Sequence, residues 1–204
     1  MTVVTSFDVG GTLIRASTSC AEAICTRFQI REESRRAAIR TLLRSSPLDQ
    51  RALRDLADLS GVAALAVQRC LDEYLPAFEW QDGAHEALGR ARSRGRVVTL
   101  SNVSQIDDST TGWIGFLIDA SYSSWRTGYV KPDRRAYENL IDTEAVPASD
   151  IIHIGDDWEA DVAAPLAVGI RAVYIGIVPP RADLGGVETV DSVLHALDVI
   201  ESTT

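Results

Sequence analysis

The sequence has little positive charge and no long apolar run. Of its 204 residues, 29 are Asp or Glu and 20 are Lys or Arg, so the formal net charge is −9 and the pI is about 4.8. This balance argues against a basic surface for nucleic acid or an anionic membrane. No apolar stretch approaches the ~20 residues of a membrane span, and no secretory leader pattern opens the chain. We therefore expect a cytoplasmic protein with neither nucleic acid nor membrane as a partner.

Cysteine and lysine are both scarce. The three cysteines, Cys20, Cys25 and Cys70, are odd in number and lack the spacing of a metal site, so we expect reduced thiols and no disulfide framework. Lys131 is the one lysine among the 20 Lys and Arg side chains. Any chemistry that needs a lysine amine must therefore use Lys131.

Strand and helix patterns alternate along most of the chain. Residues 2–7, 96–101, 151–155 and 170–176 have the apolar, β-branched composition of strands, and another short strand is expected at 116–121. Residues 19–75 instead repeat apolar residues at helical spacing. These patterns predict a doubly wound parallel α/β sheet, built from residues 1–14 and 81–204, with a small helical domain inserted at 15–80. Ligands of such sheets bind beyond the carboxyl ends of the strands.

Polar residues follow several predicted strands at that edge. Asp8 ends the first strand, and the glycines after it let backbone N–H groups approach an anion. Thr12 adds a hydroxyl, and Ser101 with Asn102 follows a second strand, where a hydroxyl and a loop N–H suit a phosphoryl oxygen. Each of these patterns is weak alone, because turns have the same composition.

Three carboxylates, Asp156, Asp157 and Asp161, crowd into six residues after a buried strand. Adjacent acids repel unless a cation or solvent absorbs their charge, and Mg²⁺ prefers hard oxygen ligands. An acidic helix N-terminus is the competing explanation for this stretch. The order along the chain is acid, hydroxyl, lysine, acids.

That order, in the stretches "FDVGGTLI", "TLSNVS", "GYVKPDRRAYE" and "HIGDDWEADVAAPLAVGIRAVYI", resembles the four motifs of the haloacid dehalogenase-like hydrolase superfamily with a helical cap of the first type. The resemblance spans nearly the whole chain. It implies a Rossmann-like core, a cap at residues 15–80 that closes over the site and selects a small phosphorylated substrate, and Mg²⁺ as cofactor.

The resemblance also implies roles for individual residues. Asp8 would be the nucleophile that forms an aspartyl-phosphate, Ser101 would hold the transferring phosphoryl group, and Lys131 would clamp both. The implied Mg²⁺ ligands are Asp8, the carbonyl of Gly10, and Asp156, with Asp161 in support through water or Lys131. Asp157 receives only a supporting role. The substrate-binding residues would be Gly11, Thr12 and Asn102.

Gly10 departs from the family pattern, because phosphatases of this family usually carry there a second Asp that protonates the leaving oxygen and activates water. General acid–base catalysis contributes typically ~10²–10⁴-fold, so its loss predicts weak turnover or restriction to reactive leaving groups. Two candidates for a substitute acid are His85 and Glu22. A degenerate protein that binds a phosphorylated ligand or a protein partner without turnover is the alternative.

Two further relatives lack that second Asp. Phosphonatases form an imine with a cap lysine, and residues 15–80 contain no lysine. Dehalogenases of 2-haloacids attack carbon without a metal. The acid cluster at 156–161 favours a metal and therefore argues against a dehalogenase.

Overall fold

The computed structural model describes residues 3–16, 18–45, 49–75, 77–110, 114–177 and 187–202. The β-strands are β1 (Val4–Phe7), β2 (Ile14–Ala16), β3 (Phe78–Trp80), β4 (Arg96–Ser101), β5 (Ala120–Ser123), β6 (Ile151–Gly155), β7 (Arg171–Ile175) and β8 (Glu188–Val190). Six of them form one parallel sheet in the order β5-β4-β1-β6-β7-β8, while β2 and β3 pair antiparallel. The predicted parallel α/β sheet is confirmed.

The helices in the described part of the chain fall into two groups. The first group is α1 (Cys20–Arg27), α2 (Glu32–Arg44), α3 (Gln50–Ser60) and α4 (Ala64–Glu73). The second group is α5 (Ala84–Arg94), α6 (Gln105–Thr110), α7 (Ser124–Thr127), α8 (Arg134–Glu144), α9 (Ala164–Leu166) and α10 (Val193–Ser202). A single wide π-helical stretch, Trp158–Ala163, precedes α9.

The sheet is covered on both faces, which explains the apolar composition of its central strands. On one face, α5 and α10 pack against β1, β6 and β7 in a cluster that includes Phe7, Leu88, Ile154 and Leu197. On the other face, α8 packs against the sheet through Tyr137. Every residue of β1 and β6 is buried. Both strands are therefore shielded from solvent along their whole length, and the chain becomes exposed only after each strand ends.

Helices α1 to α4 pack around their own apolar cluster, which includes Ile24, Leu42, Leu56 and Val67. They lie between β2 and β3, so this antiparallel pair leads the chain out of the sheet and back. Local signals fix two ends: the Ser19 hydroxyl caps α1 at Glu22 N, and Gly61 ends α3 with φ +66°. The division at residues 15–80 remains a prediction.

One strand lies further along the chain than predicted. The fifth strand runs over Ala120–Ser123 and not 116–121, because the chain turns where Leu117 N donates to Ile114 O, and Phe116 is exposed. This shift does not change the predicted parallel sheet, because β5 still pairs with β4.

None of the helices in the described residues is long and apolar enough to cross a membrane.

Candidate active site

A buried ion-pair cluster lies where β1, β6 and the loop before α8 meet. Lys131 Nζ lies 2.7 Å from Asp8 Oδ1 and 2.5 Å from Asp161 Oδ1. All three side chains are at least nine-tenths buried. Two carboxylates and an ammonium at these distances form charge-assisted hydrogen bonds. The first acid of the sequence, its one lysine and the last acid of the 156–161 cluster are thus brought together.

Burial and charge act in opposite directions on this cluster. Burial raises the pKa of Asp8 above that of a free carboxyl, and the Lys131 ammonium only partly opposes the rise. Burial would lower the pKa of Lys131, but the charges of Asp8 and Asp161 outweigh it and raise the pKa. For Asp161, the charge of Lys131 and the bond from His153 overcome burial and hold its pKa below the usual range.

Asp156 completes a group of carboxylates that can hold a cation. One oxygen from each of Asp8, Asp156 and Asp161 lies within 4.8 Å of the others, and Asp156 is the exposed member. Three carboxylates and one ammonium leave a formal charge of −2, which a divalent cation would neutralise. Hard oxygen ligands of this kind suit Mg²⁺. The donor set therefore fits the metal that the sequence implies.

Two glycines allow the carboxylates to approach the backbone. A Cβ on Gly11, whose φ is +87°, would lie 2.1 Å from Asp156 Oδ2, and a Cβ on Gly155 would lie 2.3 Å from Asp161 Cγ. Any side chain at either position would displace a carboxylate. The predicted substrate contact of Gly11 remains a prediction, while its close approach to Asp156 is what the structure displays.

Thr12 and Asn102, both expected to contact substrate, also make hydrogen bonds within the chain, and their substrate contacts remain predictions. The Thr12 hydroxyl is buried and donates to Asp156 Oδ1 at 3.3 Å. The Asn102 amide donates to Lys131 O at 2.9 Å and accepts from Lys131 N at 2.8 Å. Thr12 therefore orients a carboxylate, and Asn102 fixes the main chain that carries the lysine. Ser101 ends β4 and is buried next to Asn102.

Gly10 lies at the mouth of the site and is exposed. A Cβ built on it meets nothing within 4 Å. The substitute acids suggested by the sequence lie elsewhere: the His85 ring contacts Trp80 and Phe116, and Glu22 pairs with Arg35. Neither is among the described residues that line the cavity beside Gly10.

Sequence reasoning missed a residue beneath the site, His153. Its Nε2 lies 3.0 Å from Asp161 Oδ1 and its Nδ1 lies 2.9 Å from Ser6 Oγ. Burial lowers the pKa of His153, although the bond with Asp161 opposes this. Since a carboxylate only accepts, Nε2 donates to it and the neutral ring accepts from Ser6. A histidine inside the apolar stretch "IIHIG" was the available signal.

Asp157 has a role in forming the turn after β6. Its carboxylate caps the π-helical stretch by accepting from Ala160 N at 2.9 Å, and its own N–H donates to Asp161 Oδ2 at 3.0 Å. The residue therefore helps to place Asp161 and is not part of the carboxylate group itself.

A family model described as haloacid dehalogenase-like hydrolase matches residues 5–169, which is most of the chain. The chain belongs to the haloacid dehalogenase-like hydrolases. A human relative, haloacid dehalogenase-like hydrolase domain-containing protein 3, is 30% identical over 130 residues, or 61% of this chain. That match spans 51% of the human protein, about half of its length.

Solved structures of haloacid dehalogenase-like proteins share the fold. A 2-haloacid dehalogenase from Pseudomonas syringae covers all of both chains with a TM-score of 0.73 and 18% identity. An enzyme of the family from Bacteroides thetaiotaomicron, in complex with magnesium and inorganic phosphate, has a TM-score of 0.66 and 15% identity, covering 91% of this chain and 100% of its own. A phosphatase from Thermococcus onnurineus covers 98% of both chains, with a TM-score of 0.63 and 15% identity.

Proposed function

We propose that the chain is a Mg²⁺-dependent phosphohydrolase that acts on a small phosphorylated metabolite through an aspartyl-phosphate on Asp8. The single observation that carries this is the group of Asp8, Asp156 and Asp161 within 4.8 Å of one another. Lys131 bonds to only two of them, Asp8 and Asp161, so a formal charge of −2 remains. Uncompensated carboxylates this close together are unfavourable without a cation. The site therefore suits a divalent cation and, beside it, an anionic substrate.

Each residue then has a defined task. An Asp8 oxygen attacks phosphorus, the bond from phosphorus to the leaving oxygen breaks, and water later releases phosphate from Asp8. The Ser101 hydroxyl holds the phosphoryl group, and Lys131 neutralises it together with Asp8. Mg²⁺, held by Asp8, the carbonyl of Gly10, and Asp156, would supply the positive charge that lets a phosphate dianion approach a carboxylate.

Gly10 limits the reaction that these residues support. With no acid there, the leaving oxygen departs without a proton from that position, which favours acyl and aryl phosphates over alkyl phosphates. We also propose that the helices α1 to α4, as the cap, close over the site and select the substrate.

An assay with three substrates tests the function. Purified protein with Mg²⁺ should release phosphate from acetyl phosphate and an aryl phosphate much faster than from an alkyl phosphate. Chelator should abolish the release, as should Asp8→Asn, whereas Asp142→Asn at an exposed position should not. Turnover that survives both the chelator and Asp8→Asn would contradict the proposal.

Two additional measurements on the same protein, of phosphate binding and of halide release, separate two other functions. Gly10 favours a protein that binds a phosphorylated ligand without turnover, and this would appear as Mg²⁺-dependent phosphate binding with no product release. Halide release from a 2-haloacid that persists in chelator would instead indicate a dehalogenase. The carboxylate group argues against the second outcome, because attack on carbon needs no divalent cation.

A further inference from the structure

A cavity of about 220 Å³ adjoins the candidate site between the sheet edge, helices α1 and α2, and the end of α4. Its lining includes Gly10, Ser101 and Asn102 of the candidate site. Because these residues surround the position proposed for the phosphoryl group, the cavity is where the remainder of the substrate would lie. The composition of its wall therefore bears on the leaving group.

The wall of this cavity is mostly apolar. Helix α2 contributes Ile39 and Leu43, and the antiparallel β2–β3 pair contributes Ile14 and Phe78. Several smaller apolar residues fill the gaps between them. An apolar group that leaves water for this cavity gains roughly 25 cal/mol per Å² of buried area. The wall thus favours a hydrocarbon-like leaving group.

None of the described residues that line the cavity is Lys, Arg or His. Three of the four arginines of α2, Arg36, Arg40 and Arg44, line a separate surface groove. The fourth, Arg35, pairs with Glu22 on α1 and is not among the described residues that line the cavity.

Asp107, the one carboxylate among the described residues that line the cavity, carries the wrong charge for an anion. It accepts bonds from Cys20 N at 3.1 Å, from Tyr74 Oη at 3.0 Å and from Ser104 Oγ at 2.7 Å. These bonds link α1 and the end of α4 to α6, so Asp107 holds the cavity wall together. A second anionic group on a substrate would lie near Asp107 without a cationic partner.

We propose that this site selects monophosphates whose leaving group is small, apolar and uncharged, and rejects those that carry a carboxylate or a second phosphate. The proposal rests on the proposed function, because it assumes that the phosphoryl group sits at Asp8 and Ser101. A charged leaving group would lose its hydration in the cavity and find no cation there.

Calorimetric titration with non-hydrolysable probes tests the selection without turnover. The probes, in Mg²⁺, are inorganic phosphate, propylphosphonate and carboxyethylphosphonate, of which the last two differ by a terminal carboxylate. Propylphosphonate should bind roughly tenfold or more tightly than carboxyethylphosphonate, because the second charge is buried unpaired. Equal or reversed affinities, with phosphate binding intact, would overturn the selection alone. Absence of phosphate binding would overturn the proposed function and the selection with it.

A variant with a new cation in the wall makes the test reciprocal. Leu43→Arg, at a half-buried position of the cavity, should improve carboxyethylphosphonate binding by about tenfold and weaken that of propylphosphonate. Leu65→Arg, on α4 at a position 62% exposed and outside the cavity, is the matched control and should change neither. Circular dichroism verifies that both variants fold, and an unchanged preference in folded Leu43→Arg would contradict the proposal.

Discussion

Lys131 Nζ lies 2.7 Å from Asp8 Oδ1, although 123 residues separate them along the chain. The sheet explains this contact, because β1 ends at Phe7 beside β4, and the Asn102 side chain after β4 holds the main chain of Lys131. The lysine therefore reaches Asp8 from a fixed support and also binds Asp161. One ammonium positions two carboxylates of the candidate metal site.

Replacing this lysine should destabilise the protein when no metal is present. Lys131→Met leaves two buried carboxylates without their cation, and breaking a buried pair in this way costs about 3–5 kcal/mol in free energy of unfolding. Arg134→Met removes the exposed pair with Glu138 and should cost under about 1 kcal/mol. Urea unfolding of both variants in chelator measures the difference, and equal losses would contradict the buried-pair interpretation.

Magnesium should stabilise the wild-type protein against heat. A ligand at 100 times its Kd adds about 2.7 kcal/mol to the free energy of unfolding. At roughly 2–4 °C per kcal/mol for a chain of this size, the midpoint should rise by about 5–10 °C. Asp156→Asn removes a charged ligand and should abolish most of the rise, while Asp142→Asn on the surface should retain it. Differential scanning calorimetry with and without Mg²⁺ measures this, and a full rise in Asp156→Asn would exclude Asp156 as a ligand.

The central strands β1, β4 and β6 of the parallel sheet were predictable because they are buried and are therefore rich in apolar and β-branched residues. The positions of Asp8, Ser101 and Asp156 at one edge were predictable because each comes at or directly after the end of a predicted strand. The places of Lys131 and Asp161 were implied by the resemblance to the family motifs. The position of β5 was not predictable, since Phe116 belongs to an apolar stretch and yet is exposed in a turn. Apolar composition alone does not distinguish a strand from a turn that precedes it.

The contacts that Thr12 and Asn102 make within the chain could not be derived from sequence. Their expected contacts with the substrate remain predictions. In the structure each bonds to a residue more than 25 positions away, Asp156 and Lys131, and these contacts depend on how the loops fold. His153 was missed because, in an apolar strand, it resembled a core residue. Its bonds become apparent only from the pairing of Ser6 with His153 across β1 and β6.

His153 should act as a positioning residue for Asp161. His153→Phe removes the donor to Asp161, so we expect kcat or Mg²⁺ affinity to fall about 10–100-fold, as is usual when a partner of a metal ligand is lost. His153→Gln retains a donor and should recover part of the loss. His195→Asn, at an exposed site, is the control. Kinetics and Mg²⁺ titration of these variants test this positioning role. A loss of stability with kcat and Mg²⁺ affinity unchanged would show that His153 only stabilises the core.

The final prediction concerns the catalytic group that Gly10 lacks. Space for a side chain exists, because a Cβ at Gly10 meets nothing within 4 Å and this glycine is not among those with positive φ. Gly10→Asp should raise the turnover of alkyl phosphates, by up to the ~10²–10⁴-fold that general acid–base catalysis contributes, and should change acyl phosphate turnover much less. Gly10→Asn has the same shape without the acid, so it should show no gain. Phosphate release from a matched alkyl and acyl pair measures the ratio. An equal gain in the Asn variant would indicate that bulk at this position, and not a proton, had been missing.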